Sequence, residues 1–123
     1  MILFIQALFV LFAYDVMSAL CRFRTLYSIV KGWKVTGKAA ESHTVDEVCT
    51  AVNYACVWYP KQALCLQRSF VTTYLLRKNG VPALMVLGAQ KLPFKAHAWV
   101  EIEGRAINER SNVQLTYTVW DRC

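Results

Sequence analysis

The chain has 123 residues, enough for one domain and not two. Hydrophobic residues make up 56% and charged residues 18%, which excludes a disordered or fibrous chain and predicts a true core. The net charge of +6 permits an acidic partner, a membrane surface or nucleic acid, without deciding the fold.

Residues 1–14, MILFIQALFVLFAY, are almost wholly apolar, and Asp15 interrupts them before VMSAL continues to Cys21. Spanning a bilayer takes about 20 apolar residues, and Gln6 and Asp15 sit inside this candidate. A cleaved signal would begin with positive charge, which is missing here. A helix packed on the domain, or lying at a membrane surface, fits better than either. Residues 22–38 carry Arg22, Arg24, Lys31, Lys34 and Lys38 with no acid, while Leu26, Tyr27, Ile29, Val30 and Trp33 recur at helical spacing. They predict a basic amphipathic helix, either a solvated face or a contact for anionic lipid or an acidic peptide. These two helices, over residues 1–40, are expected as one unit. Residues 41–123 are expected as the catalytic domain.

Residues 35–43 lack an apolar period and read as a linker. Thr44-Val45-Asp46-Glu47 is a capping box, with Thr44 accepting from the Glu47 amide. Behind it Val45, Val48, Cys49, Val52, Ala55, Cys56 and Tyr59 trace one helical face, which Pro60 closes. Cys49 and Cys56 on that face read as small core residues. A further helix runs from about Cys65 to Lys78, with Leu66, Phe70, Thr73, Tyr74 and Leu76 along it. Arg77 and Lys78 suit its C-terminus, and Asn79-Gly80 supplies a left-handed stop. Val81–Leu87 predicts a strand, Gly88–Pro93 a loop, and His97–Ile102 an alternating strand. Glu103-Gly104 offers a hairpin turn, Arg105–Asn108 returns, and Val113–Trp120 is a last β-prone segment. Helices followed by an antiparallel meander make an α+β domain.

Five cysteines, Cys21, Cys49, Cys56, Cys65 and Cys123, form an odd set without a CxxC pair. That argues against both a disulfide framework and a zinc site of that spacing, and for a reducing cytoplasm. Cys65 stands apart because a helix N-terminus favours a thiolate. Along His97-Ala98-Trp99-Val100-Glu101-Ile102 the two-residue period puts His97, Trp99 and Glu101 on one face and the apolar set on the other. With the apolar set toward the core, the His97 face can border a cleft, where the imidazole takes a thiol proton and later protonates a leaving amine. The other histidine, His43, falls in the linker. A third group is needed to orient the ring. Hairpin pairing brings residues 107–109 back beside His97, so Asn108 and Glu109 are candidates. Glu101, two residues along the strand, is a weaker one and reads as an ordinary exposed carboxylate.

This pattern resembles the transglutaminase-like, papain-like cysteine fold, and within it the B2 leader peptidases of lasso peptide biosynthesis. The likeness rests on Cys65-Leu66-Gln67-Arg68-Ser69, on Leu75-Leu76-Arg77-Lys78-Asn79-Gly80-Val81-Pro82-Ala83, on Gly88, and on Ala96-His97-Ala98-Trp99-Val100-Glu101-Ile102-Glu103-Gly104-Arg105. It covers about residues 45–110. The resemblance implies a Cys-His-Asp triad that removes a leader from a ribosomally made precursor, with Cys65 as nucleophile and His97 as base. The family's Asp falls where this chain has Glu109, next to Asn108, and leaves the third role open between them. The Cys65 amide is expected in the oxyanion hole, with Gln62 or Trp58 as a further donor. The implied partners are the lasso precursor, a separate leader-binding B1-type protein (a RiPP recognition element) and an ATP-dependent lasso cyclase. No cofactor, metal or nucleic acid is expected. The alternatives are acyl transfer or deamidation by the same triad, or a non-catalytic, membrane-associated scaffold built on residues 1–38.

Overall fold

The computed structural model describes residues 2–20, 23–35, 42–60, 65–90, 95–107 and 117–123. Four helices precede a four-stranded antiparallel sheet: α1 (Ile2–Leu20), α2 (Phe23–Gly32), α3 (Ser42–Trp58), α4 (Cys65–Lys78), β1 (Ala83–Gln90), β2 (Lys95–Ile102), β3 (Arg105–Ile107) and β4 (Thr118–Arg122). The order and type of the elements match the expected α+β arrangement of helices on a small antiparallel sheet.

The central element is α4. One side of it packs on β1 and β2, and α1 and α3 cover the other. It is therefore buried nearly all round, through Gln67, Ser69–Thr73 and Leu75–Arg77. Two of the buried polar side chains find backbone partners. Gln67 Nε2 donates to the Leu11 carbonyl at 3.0 Å, tying α4 to α1. Thr72 Oγ1 donates to the Arg68 carbonyl at 2.8 Å.

Arg77 has a larger role than helix-end charge. It is buried, and its guanidinium donates to the carbonyls of Val30 at 2.6 Å, Ala83 at 2.8 Å and Cys123 at 2.6 Å. One planar fork thus joins α2, the start of β1 and the residue after β4. Burial lowers its pKa from the ordinary guanidinium value. Just beyond it, Val81 N–H reaches the Leu76 carbonyl at 2.9 Å and Gly80 takes φ 87°, a glycine-closed helix end.

Ala7, Leu11, Leu26 and Val30 from α1 and α2 belong to the same core as Val48, Val52, Ala55, Phe70, Val71, Leu75, Leu76, Met85 and Val100. Trp33, just after α2, and Tyr14 on α1 both meet the Phe70 ring edge-on, at 4.8 and 5.0 Å between centroids. The apolar N-terminal helix thus packs on the domain along one side. Its other side leaves Ile2, Ile5, Phe9, Phe12, Val16 and Leu20 exposed. By length and composition α1 could also cross a membrane, which is weak evidence for membrane association.

Four expectations change. Helix α3 starts at Ser42, so Thr44 lies in its first turn and does not cap it; the local box marked the region and not the residue. Gly88 to Gln90 belong to β1 and not to a loop, because β2 pairs along their whole length, Gly88 with His97 and Gln90 with Lys95. The basic helix ends at Gly32, six residues short of the predicted stretch. The sheet is not a simple meander. Its order is β3-β2-β1-β4, so the last strand crosses to the free edge of β1 and does not extend the hairpin. Met85 and Cys123 exchange backbone bonds at 2.8 and 2.9 Å at the end of that pairing.

Candidate active site

The sequence-predicted pair lies on two packed elements, Cys65 at the opening of α4 and His97 on β2. Helix α4 ends where β1 begins and runs back over the sheet, with Phe70 and Val71 in one core with Met85 and Val100. Fourteen helical residues cover about 20 Å and the five steps from Ala83 to Gly88 about 17 Å. Cys65 opens α4 at the end farther from the α4–β1 connection, and His97 pairs with Gly88 on the sheet face opposite the helical core. Cys65 is partly buried. Tyr14 on α1 lies near it: burial first, then Asp15 and then Cys65 raise the Tyr14 hydroxyl above its ordinary value. Asp15 also accepts a hydrogen bond from the Tyr59 hydroxyl, just beyond α3.

The other thiols differ. Burial pushes Cys49 up to about 11, with Asp46 adding to the shift and Arg68 opposing it. Burial also raises Cys56 and Cys123. All three favour the neutral thiol, as structural cysteines do. Cys49 and Cys56 are half-buried, a weaker burial than the core role predicted for them.

The alternation in β2 is as expected. Ala98 and Val100 are buried on the side that shares the helical core, and Ile102 packs against it. The opposite side is not an open cleft. Trp99 and Glu101 are each 1% exposed there, under a second, smaller cluster made with Val86, Ala106, Tyr117 and Val119. The His97 ring is half-buried at the end of this layer, stacked on Tyr117 at 5.2 Å and on Trp99 at 5.9 Å. The two aromatic rings leave the imidazole little freedom to rotate.

Glu101 is consequently not an exposed strand carboxylate. Its Oε2 accepts from Trp99 Nε1 at 3.0 Å, and its Oε1 pairs with Arg122 Nε at 2.9 Å. A buried carboxylate needs such partners, and β4 supplies one because it lies across β1 from β2. The signal for this role was present in the two-residue spacing of Trp99 and Glu101, but Arg122 is remote in sequence. Gly88 belongs to the same layer. A Cβ at Gly88 would stand 2.7 and 2.9 Å from two atoms of the Trp99 indole and 3.0 Å from the Thr118 carbonyl. Glycine is required here because the Trp99 ring lies against the backbone.

Asn108, Glu109 and Gln62 lie outside the described residues. The described β2–β3 pairing sets Ile107 opposite Val100, three residues along the strand from His97, so Ile107 does not return beside His97 as expected from the hairpin. Trp58 ends α3 with its ring 73% exposed.

Comparison with known proteins fits this arrangement. The family model described as the transglutaminase-like superfamily matches residues 10–121. The chain belongs to the transglutaminase-like superfamily. The match begins at Val10, within α1. Among curated proteins, the microcin J25-processing protein McjB of Escherichia coli is 34% identical over 50 residues. That alignment covers 41% of this chain and 24% of the relative, so the match spans about a quarter of McjB's length. No solved structure matches the chain.

Proposed function

We propose that this protein is a cytoplasmic cysteine peptidase that removes the leader from a lasso peptide precursor. The observation that supports the reading is Cys65 at the opening of α4, a helix that packs on β1 and β2, together with His97 on β2 stacked on Trp99 and Tyr117. Membership of the transglutaminase-like superfamily and the partial likeness to a microcin-processing protein support it.

The chemistry follows from two side chains. His97 takes the Sγ proton of Cys65, and the thiolate attacks the scissile carbonyl to give a tetrahedral oxyanion. The free N–H groups of the first α4 turn, that of Cys65 among them, offer donors to that oxygen. His97 then protonates the leaving amine, the C–N bond breaks, and a thioester remains on Cys65. A water that gives its proton to His97 attacks the thioester. This releases the carboxylic product and returns the thiol. Asn108 or Glu109 fills the orienting role at His97.

The precursor is delivered by a separate leader-binding B1-type protein, and an ATP-dependent cyclase closes the ring afterwards. Incubation of the chain with precursor and leader-binding protein, read by mass spectrometry, tests the reading. Two backbone fragments are expected. A side-chain change of about one dalton without a cut would replace peptidase chemistry by deamidation through the same acyl-enzyme step.

A further inference from the structure

The mechanism leaves unused a groove between α1 and α3, of about 680 Å³, lined by Leu3, Phe4, Ala51, Tyr54 and Trp58 with Asp46, Glu47 and Thr50. That volume lies in the range of true ligand sites. Tyr54 and Trp58 are 60% and 73% exposed, and both are residue types that anchor protein contacts. Among the described residues, the charged ones that line it, Asp46 and Glu47, are both acidic and both exposed, in a chain of net charge +6. An anionic lipid surface would meet those carboxylates unfavourably, whereas a basic peptide would not.

The direction of the groove matters as much as its chemistry. Leu3 and Phe4 of α1 face the groove with Asp46, Glu47 and Ala51 of α3, while Asp15, near the far end of α1, meets Tyr59 just beyond α3. The two helices therefore run parallel. From Asp46 to Trp58 is about 18 Å along the helix, the reach of about five extended residues. At the Trp58 end come Tyr59 and Asp15, then Tyr14, whose ring meets Phe70 of α4 at 5.0 Å, about one and a half turns after Cys65. The groove thus leads toward the nucleophile.

We infer that the α1/α3 groove binds a short substrate segment carrying large apolar side chains and a Lys or Arg, and holds it in line with Cys65. This assignment rests on the peptidase reading for the identity of the substrate, and on the groove itself for the binding.

Two measurements separate these two foundations. The first is direct binding of a fluorescein-labelled synthetic peptide of Leu, Phe and Lys, compared with the same peptide carrying Glu for Lys or Ser for Leu and Phe. The full chain should prefer the first peptide, and Asp46→Lys should weaken it by about twofold or more, as expected when one exposed charge pair is reversed. Thr50→Trp, which fills the groove without altering charge, should weaken all binding. Circular dichroism confirms that each variant is folded, and Cys65→Ala should bind as the parent does.

The second is cleavage of the precursor, in which the charge-reversal and Thr50→Trp variants should raise KM and leave kcat within about twofold, as loss of uniform binding requires. Selective binding without any cleavage by the parent chain would sustain the groove and defeat the peptidase reading. Cleavage with unchanged KM in both groove variants would overturn the groove. So would equal affinity for the Lys and Glu peptides, or a dimer of this chain that Thr50→Trp dissociates.

Discussion

Replacing Gly88 by alanine would put a methyl group 2.7 and 2.9 Å from the Trp99 indole and 3.0 Å from the Thr118 carbonyl. Two effects oppose each other. Alanine in place of a strand glycine gains about 0.5–1 kcal/mol in backbone entropy. Overpacking a tight site costs about 1–3 kcal/mol. The balance depends on whether Trp99 can move. It is 1% exposed, its Nε1 is held by Glu101 at 3.0 Å, and its other side faces Tyr117 and His97. The indole cannot yield without disturbing the imidazole, so the clash wins and Gly88→Ala should lose about 1–2 kcal/mol net. Urea unfolding followed by tryptophan fluorescence measures this loss. The His97 ring resonances should shift in the same variant, and cleavage should fall by more than the small unfolded fraction explains. Gly88→Ala with parental stability and an unmoved His97 spectrum would refute the argument that glycine is required by the Trp99 ring.

Three further outcomes follow from other parts of the structure. Arg77→Ala removes three charge-assisted bonds to buried carbonyls and should cost about 3–5 kcal/mol in denaturant unfolding, with Arg77→Lys recovering part of it; a loss below about 1 kcal/mol would deny its role as a clamp. Cys49 rises from 9.0 to about 11 through burial, and Tyr59 from 10.0 to about 12 through burial and then its bond to Asp15. Both groups hold their protons more tightly when folded, so their contribution is whole below pH 9 and declines as pH rises toward 12. Cys49→Ala should flatten the pH 9–11 part of that decline in a series of melting temperatures, and an unaltered slope would contradict the assignment. Of Asn108→Ala and Glu109→Ala, the one that removes the orienting group should lower cleavage by about 10²- to 10⁴-fold; small and equal losses would mean that neither holds the ring.

Much of the fold was legible because local patterns carry it. The Asn79-Gly80 stop ends α4 at Lys78, and the Glu103-Gly104 turn, with φ of 51° and 79°, sets the β2–β3 hairpin. The face of α3 built on Val48, Val52 and Ala55 is buried as its period requires. What was hidden depends on distant partners. The pairing of β4 with β1 is a non-local choice that the alternation of Val113–Trp120 cannot specify. Glu101 looked exposed because its neutralising partner, Arg122, lies 21 residues away on that same strand. Arg77 looked like helix-end charge because its acceptors are backbone carbonyls, which have no signature in sequence. Of the candidate site, the position of Cys65 at the start of α4 and of His97 on β2 was readable from helix start and strand period. The enclosure of His97 by Tyr117 was not, since it needs the crossing of β4.

The central claim is that Cys65 is the nucleophile, and its most direct measurement is the rate of precursor cleavage by Cys65→Ala beside Cys49→Ala and Cys56→Ala, with circular dichroism on each. The Cys65 variant should fold as the parent does and lose about 10⁶-fold in turnover, as removal of a triad nucleophile does. The other two should lose stability and keep the chemistry. Cleavage at the parental rate by Cys65→Ala would contradict the account.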